Sequence, residues 1–119
     1  MESILTSIKL LLQLPEDYTP YDPQVIMHIN SVFSTQLRQL GVGPAKGFRI
    51  EDDSATWQDF IPQETEEITW DGVKTYVYAK VKLIFDPPTN SVHVQALKDI
   101  IAEFEWRLNF EAETTNLSE

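Results

Sequence analysis

The chain has no cysteine. Disulfides, thiolate nucleophiles and cysteine-ligated zinc are therefore excluded, and the composition fits a protein made in a reducing cytoplasm. Histidine is nearly as scarce. His28 and His93 are the only two, far apart and without the spacing of a metal site. Glycine occurs at four positions, none of them in a Gly-Lys-Ser/Thr phosphate loop or a Gly-x-Ser-x-Gly nucleophile elbow. No apolar run approaches the ~20 residues a membrane helix needs. Met1-Glu-Ser-Ile-Leu5 does not read as a secretion signal, because Lys9 lies inside an amphipathic pattern and no small-residue cleavage site follows. Positive charge is also short: nine Lys and Arg stand against nineteen Asp and Glu, a net charge of −10.

What is present is a hydrophobic content of 42%, with three Trp, four Tyr and six Phe. That excludes general disorder. A chain of 119 residues makes one domain, and folding removes roughly two thirds of its unfolded surface from water. The acids are unevenly spread. Glu51, Asp52, Asp53, Asp59, Glu64, Glu66, Glu67 and Asp71 fall between Ile50 and Val73 with no Lys or Arg among them. Such a surface repels a nucleic-acid backbone, which argues against groove reading of bases. Many carboxylates do not make a catalytic pair. A general acid needs a carboxyl set in an apolar pocket, and these acids sit in polar loops or on outward helix faces.

The organising stretch is Asp71 to Pro88. Val73, Tyr76, Val77, Val81, Ile84 and Phe85 form the apolar stripe of a helix. Pro87 and Pro88 stop it and force a turn. Tyr78 and Leu83 lie off the stripe, so the helix has apolar residues on more than one side. Lys74, Lys80 and Lys82 give it a basic outer face, which the sequence presents as the chain's only concentrated positive surface.

Around it the chain reads as further helices. Ile4, Leu5, Ile8, Leu11 and Leu12 share one face of a short helix that starts near Ser3 and ends before Pro15. Asp22-Pro23 is a helix start, with a capping carboxylate followed by proline at the first position. Ile26, Ile29, Phe33, Leu37 and Leu40 make the buried stripe of that helix, with Val25 and Val32 on its shoulder and His28 at its boundary. Gly41 suits a left-handed cap, and Pro44 prevents resumption. Phe48-Arg49-Ile50 reads as a short extended piece, one edge of a small hairpin. Glu51 to Ser54 resembles a calcium loop only in charge, because Trp57 falls where the central Gly should be. Asp53 or Ser54 instead caps a short helix, Ala55 to Phe60, with Trp57, Phe60 and Ile61 facing inward. Trp70 either returns the chain to the core or stands out as an anchor for a partner. Asn90 or Ser91 opens the last helix, whose stripe is Val94, Leu97, Ile101, Phe104 and Leu108. Ile100 and Trp106 lie elsewhere on its circumference. Glu111 to Glu119 is polar and patternless, and reads as a tail disordered in isolation.

Several segments together resemble a known family. They are Met1-Glu-Ser-Ile-Leu-Thr-Ser-Ile8, Met27-His-Ile-Asn-Ser-Val-Phe33, Leu40-Gly-Val-Gly-Pro44, Ile50-Glu-Asp-Asp-Ser-Ala-Thr-Trp57, Val73-Lys-Thr-Tyr-Val-Tyr78, Phe85-Asp-Pro-Pro88 and Glu103-Phe-Glu-Trp-Arg-Leu-Asn109. The pattern is similar to the small helical head-tail connector proteins, or head-completion adaptors, of long-tailed bacteriophages and related prophages. The resemblance implies a helical protomer in a ring of about twelve copies below the portal. The ring extends the DNA channel, through which DNA passes without specific binding, and offers a platform to the next connector or tail protein. It also implies that the C-terminal region reaches the portal. The expected location is the virion, with the host cytoplasm before assembly.

The expected fold is all-α: four main helices, with a short helix or small hairpin in the 48–61 region. Residues 1–110 form the connector domain and 111–119 a flexible tail. Phe104, Trp106, Arg107 and Phe110 are the expected portal contacts, and Lys74, Lys80 and Lys82 the expected subunit contacts. Glu51, Asp52, Asp53, Glu64, Glu66 and Glu67 are expected to line the channel. No catalytic, cofactor or metal site is expected. The rival reading is an acidic mimic of DNA that occupies the nucleic-acid site of a host enzyme.

Overall fold

A computed structural model describes the backbone of residues 2–118 and the side chains of residues 2–108. Five helices form: α1 (Ile4–Leu11), α2 (Asp22–Val32), α3 (Trp57–Phe60), α4 (Trp70–Phe85) and α5 (Ser91–Ser118). The architecture is all-α, with no strand among the described residues. The expectation placed on Phe110 concerns a side chain outside the described residues, and the backbone of α5 continues through the segment expected to be a tail, as far as Ser118.

α4 is the hub. It packs against α1, α2, α3 and α5. Val73, Tyr76, Val77, Ala79 and Val81 are fully buried. The hydroxyl of Thr69 opens the helix by accepting from the Gly72 N–H at 3.0 Å. Asp86 closes it ahead of the two prolines. One stripe residue is misplaced by the sequence: Ile84 is 62% exposed. It lies in the last turn, past the end of the neighbouring core.

α1 starts at Ser3, whose hydroxyl accepts from the Thr6 N–H. Ile4, Leu5, Ile8 and Leu12 are buried, whereas Leu11 is exposed. The inner face instead takes in Ser7 and Lys9. Ser7 Oγ donates to Ile4 O at 3.0 Å and accepts from Trp57 Nε1 at 2.9 Å, which ties α1 to α3 through a satisfied buried relay. Lys9 Nζ donates to Glu16 O at 2.9 Å and lies 2.9 Å from Asp22 Oδ1. Asp22 is therefore the first residue of α2 rather than its cap, and its carboxylate does not bond the helix N-terminus. Its buried Oδ1 takes no well-aligned hydrogen bond among the described residues, so the Lys9 ammonium is its compensation.

α2 buries Val25, Ile29 and Val32, with Ile26 only half-buried. It runs into a π-helical turn at Phe33–Leu37. Such a turn inserts one extra residue. In an unbroken helix the face carrying 25, 29 and 32 would continue at 36, but here Leu37 is buried and Gln36 is not. After it, Gly41 takes a left-handed φ of +79° and the Val42 N–H bonds Leu37 O at 2.9 Å. Gly43 (φ +88°) passes against Phe60, where a Cβ would overlap the ring.

The expected hairpin at 48–50 does not form. Phe48 instead joins Phe33 and Phe60 in an aromatic cluster, with centroids 4.4–5.4 Å apart. Ile50 is held by one side chain: Asn30 Nδ2 donates to its carbonyl at 2.9 Å, and Asn30 Oδ1 accepts from its N–H at 2.7 Å. Among the described residues the one extended pairing is a single antiparallel bridge between Ser3 and Thr56. The cap of α3 is Thr56, not Asp53 or Ser54. Its hydroxyl accepts from the Asp59 N–H, and the Asp59 carboxylate accepts from the Thr56 N–H, a capping box. Trp57, Phe60 and Ile61 are buried as the spacing predicts. Burial of each contributes roughly 1.5–3 kcal/mol, enough to pin the segment.

Candidate interaction surfaces

α5 lies along one flank of α4. Leu97, Ile101 and Leu108 are buried, and Asn90 Oδ1 caps the helix by accepting from the Val92 N–H at 2.7 Å. Phe104 stacks on Tyr76 at 4.6 Å. The Tyr76 hydroxyl donates to Glu105 Oε2 at 2.6 Å. Burial first, and then the neighbouring carboxylate, push the phenol well above its usual range. Lys80 sits 5.9 Å over the Tyr76 ring and 3.7 Å from Glu105.

The expected portal contacts divide here. Phe104 is half-buried against α4, so much of its surface serves the chain itself. Trp106 is 65% exposed. Arg107 is exposed and pairs along the helix with Glu103 at 2.7 Å. Val92 (71% exposed) and Ile100 add apolar surface. The structure thus brings Phe104 and Arg107 together, at a groove of about 400 Å³ that also contains Glu66, Glu67, Ile100 and Glu103.

Lys74, Lys80 and Lys82 each meet an acid of their own chain. Lys74 bonds Glu2 at 2.7 Å, with Asp71 at 3.7 Å, and the Glu2 contact above all raises its pKa. Lys82 bonds Asp86 at 2.8 Å. Among the described residues none of the three pairs with an acid from Glu51 to Glu67. Those six channel candidates are exposed. Asp52 accepts from the Ser54 hydroxyl and N–H, and this holds its carboxyl below the usual range. Glu64 accepts from the Trp70 N–H at 3.0 Å. Trp70 itself returns to the core, donating its indole N–H to Ile61 O at 2.8 Å.

A positive surface missed by the sequence reading lies along α2. Arg38, Lys46 and Arg49 border an open groove of about 580 Å³ whose apolar floor includes Ile26, Met27 and Phe48. Arg38 is eight residues from Lys46 along the chain, so spacing alone does not join them. The signal that does is the reversal at Gly41-Val-Gly43-Pro44, which sends the chain back along α2. Lys74, Lys80 and Lys82 are therefore not the only positive cluster.

Among the described residues, no three His, Asp or Glu side chains are grouped to hold a metal ion. Nor is any described helix long and apolar enough to cross a membrane.

A family model described as phage connector protein matches residues 4–115. The chain belongs to the phage connector protein family. Nothing matches among curated proteins or among solved structures. The family makes this a structural phage protein, a virion component that works in contact with other head and tail proteins.

Proposed function

We propose that this connector is the head-tail adaptor: a ring of copies docked below the portal that extends the DNA channel and presents a platform to the tail. The observation that carries the reading is the family match over residues 4–115. The exposed apolar residues of α5 support it, since they exceed what α5 needs to cover α4. In this reading Trp106, Arg107 and the exposed edge of Phe104 dock on the portal, and Phe110 continues that contact. Glu51, Asp52, Asp53, Glu64, Glu66 and Glu67 face the lumen, where their charge keeps DNA from adhering. Lys74, Lys80 and Lys82 reach a neighbouring copy by exchanging their in-chain acids for a neighbour's. Exposed pairs contribute only about 0–1 kcal/mol each, so apolar contact carries assembly. The protein is made in the host cytoplasm and ends in the virion. No observation favours the DNA-mimic reading.

The test is to mix the purified chain with portal from the same phage and image the product by electron microscopy. A ring of density beneath the portal is expected; portal that stays bare at high protein concentration overturns the reading. Reversing several of these acids, Glu51, Asp52 and Asp53 together, to Lys is expected to slow DNA ejection from assembled particles, and unchanged ejection kinetics would remove them from the channel.

A further inference from the structure

The chain carries a net charge of −10, yet three of its cations gather where no acid meets them. Lys9, Lys74, Lys80, Lys82 and Arg107 all have an ion-pair partner. Arg38, Lys46, Arg49 and Lys98 have none among the described residues, and of these Arg38, Lys46 and Arg49 line the α2 groove together while Lys98 stands apart on α5. Arg38 lies along the loop, its Nη1 4.0 Å from where a Cβ on Gly47 would stand. The floor between these cations includes Met27, 59% exposed. At about 100° per residue, Met27, Asn30 and Ser34 lie on the side of α2 opposite the buried Val25, Ile29 and Val32. The groove therefore faces away from the core.

The matching surface lies on another part of the same molecule. Glu66 and Glu67 border the groove between α4 and α5, next to Glu103. Neither makes an ion pair with a cation of its own chain among the described residues. α2 and α5 flank α4, so the cationic groove and this acidic edge are different patches on one protomer. Complementary patches that differ give a head-to-tail contact, which closes into a ring when the rotation allows it.

We propose that the α2 groove of one copy receives the acidic segment Glu64 to Glu67 of the next copy. Arg38, Lys46 and Arg49 provide steering and register, and Ile26, Met27 and Phe48 supply apolar contact. The proposal rests on the adaptor reading only in requiring copies to sit side by side. It moves Glu66 and Glu67 to the seam between copies, at the rim of the lumen, and leaves Glu51, Asp52 and Asp53 facing inward. A nucleic-acid occupant is disfavoured by the acidity of the rest of the chain.

Charge exchange tests it. The triple variant Arg38→Glu, Lys46→Glu, Arg49→Glu and the double variant Glu66→Lys, Glu67→Lys are each expected to lower assembly on portal by roughly tenfold or more. Mixed in equal amounts they should assemble again, because each altered groove then meets an oppositely altered segment. The absence of cysteine gives a second readout independent of charge. A mixture of Lys46→Cys and Glu66→Cys chains should form a mixed disulfide between copies in the assembled ring, and wild-type assembly should weaken with salt. If copies assemble on portal but the mixture of charge variants stays impaired and the disulfide does not form, the contact is overturned and the adaptor reading stands. If the wild-type chain never assembles, both fall. If the triple variant assembles normally but loses a gel shift with duplex DNA, the groove belongs to nucleic acid and the proposal is overturned.

Discussion

α4 and α5 are neighbours in sequence and in space, but their surfaces are completed differently. α4 buries Val73, Tyr76, Val77, Ala79 and Val81 completely among α1, α2, α3 and α5, and leaves only Ile84 of its described large apolar side chains exposed. α5 covers one flank of α4, and Val92, Ile100 and Trp106 keep much of their surface exposed. A helix finished by its own chain reports on folding. A helix finished on one side only reports on what else it touches.

That contrast is sharpest at Tyr76 and Trp106. Tyr76→Ala removes a fully buried ring that stacks on Phe104, and about 3–5 kcal/mol of stability should be lost in urea unfolding. Trp106→Ala, at a mostly exposed side chain, should cost less than half as much in the same unfolding curves while weakening capture by portal. Equal destabilisation by the two would erase the distinction. Between these extremes lies the buried ion pair of α1 and α2. Lys9→Ala leaves Asp22 without its compensating charge and should cost about 2–3 kcal/mol. That is somewhat below the value for a wholly buried pair, because Asp22 keeps partial access to water. Lys9→Met with Asp22→Asn should recover much of it, measured by the same unfolding curves.

A smaller effect separates the two helices by pH. The Tyr76 phenol titrates higher in the folded chain than in the unfolded one. Its contribution is thus complete below the ordinary tyrosine pKa of about 10 and is lost as pH climbs beyond it toward the folded value. Wild-type stability should fall with a slope of up to about 1.4 kcal/mol per pH unit steeper than that of Tyr76→Phe above pH ~10. Parallel curves would place the hydroxyl in water rather than on Glu105. The smallest change is Glu2→Gln. It removes an exposed partner of Lys74 and should cost less than about 1 kcal/mol by thermal melting.

What the sequence made legible was local. Ser3, Asn90 and Gly41 act within a turn of their own positions, and the α4 stripe declares itself by period. What it hid was long-range. Asp22 looks like a cap until Lys9 arrives from α1 and takes its carboxylate. Asp53 and Ser54 are good caps by type, but the Ser3–Thr56 bridge fixes the register two or three residues later. The 48–50 segment has the composition of a strand, yet Asn30 satisfies its backbone first. The same limit applied to the surfaces. Lys74, Lys80 and Lys82 are conspicuous at helical spacing, whereas Arg38, Lys46 and Arg49 meet only after the chain has doubled back.

The extra residue taken up by the π-helical turn at Phe33–Leu37 makes α2 a phase shifter. Its first turns mesh with α4 and its last turn with the returning loop, and the inserted residue lets one rod serve two partners at different clock angles. Shortening the turn by a single position would swing Arg38 through about 100° without disturbing Val25 or Ile29. One codon therefore sets how Leu37 and Arg38 are aimed, while the contacts that Val25 and Ile29 make earlier in the helix stay in place.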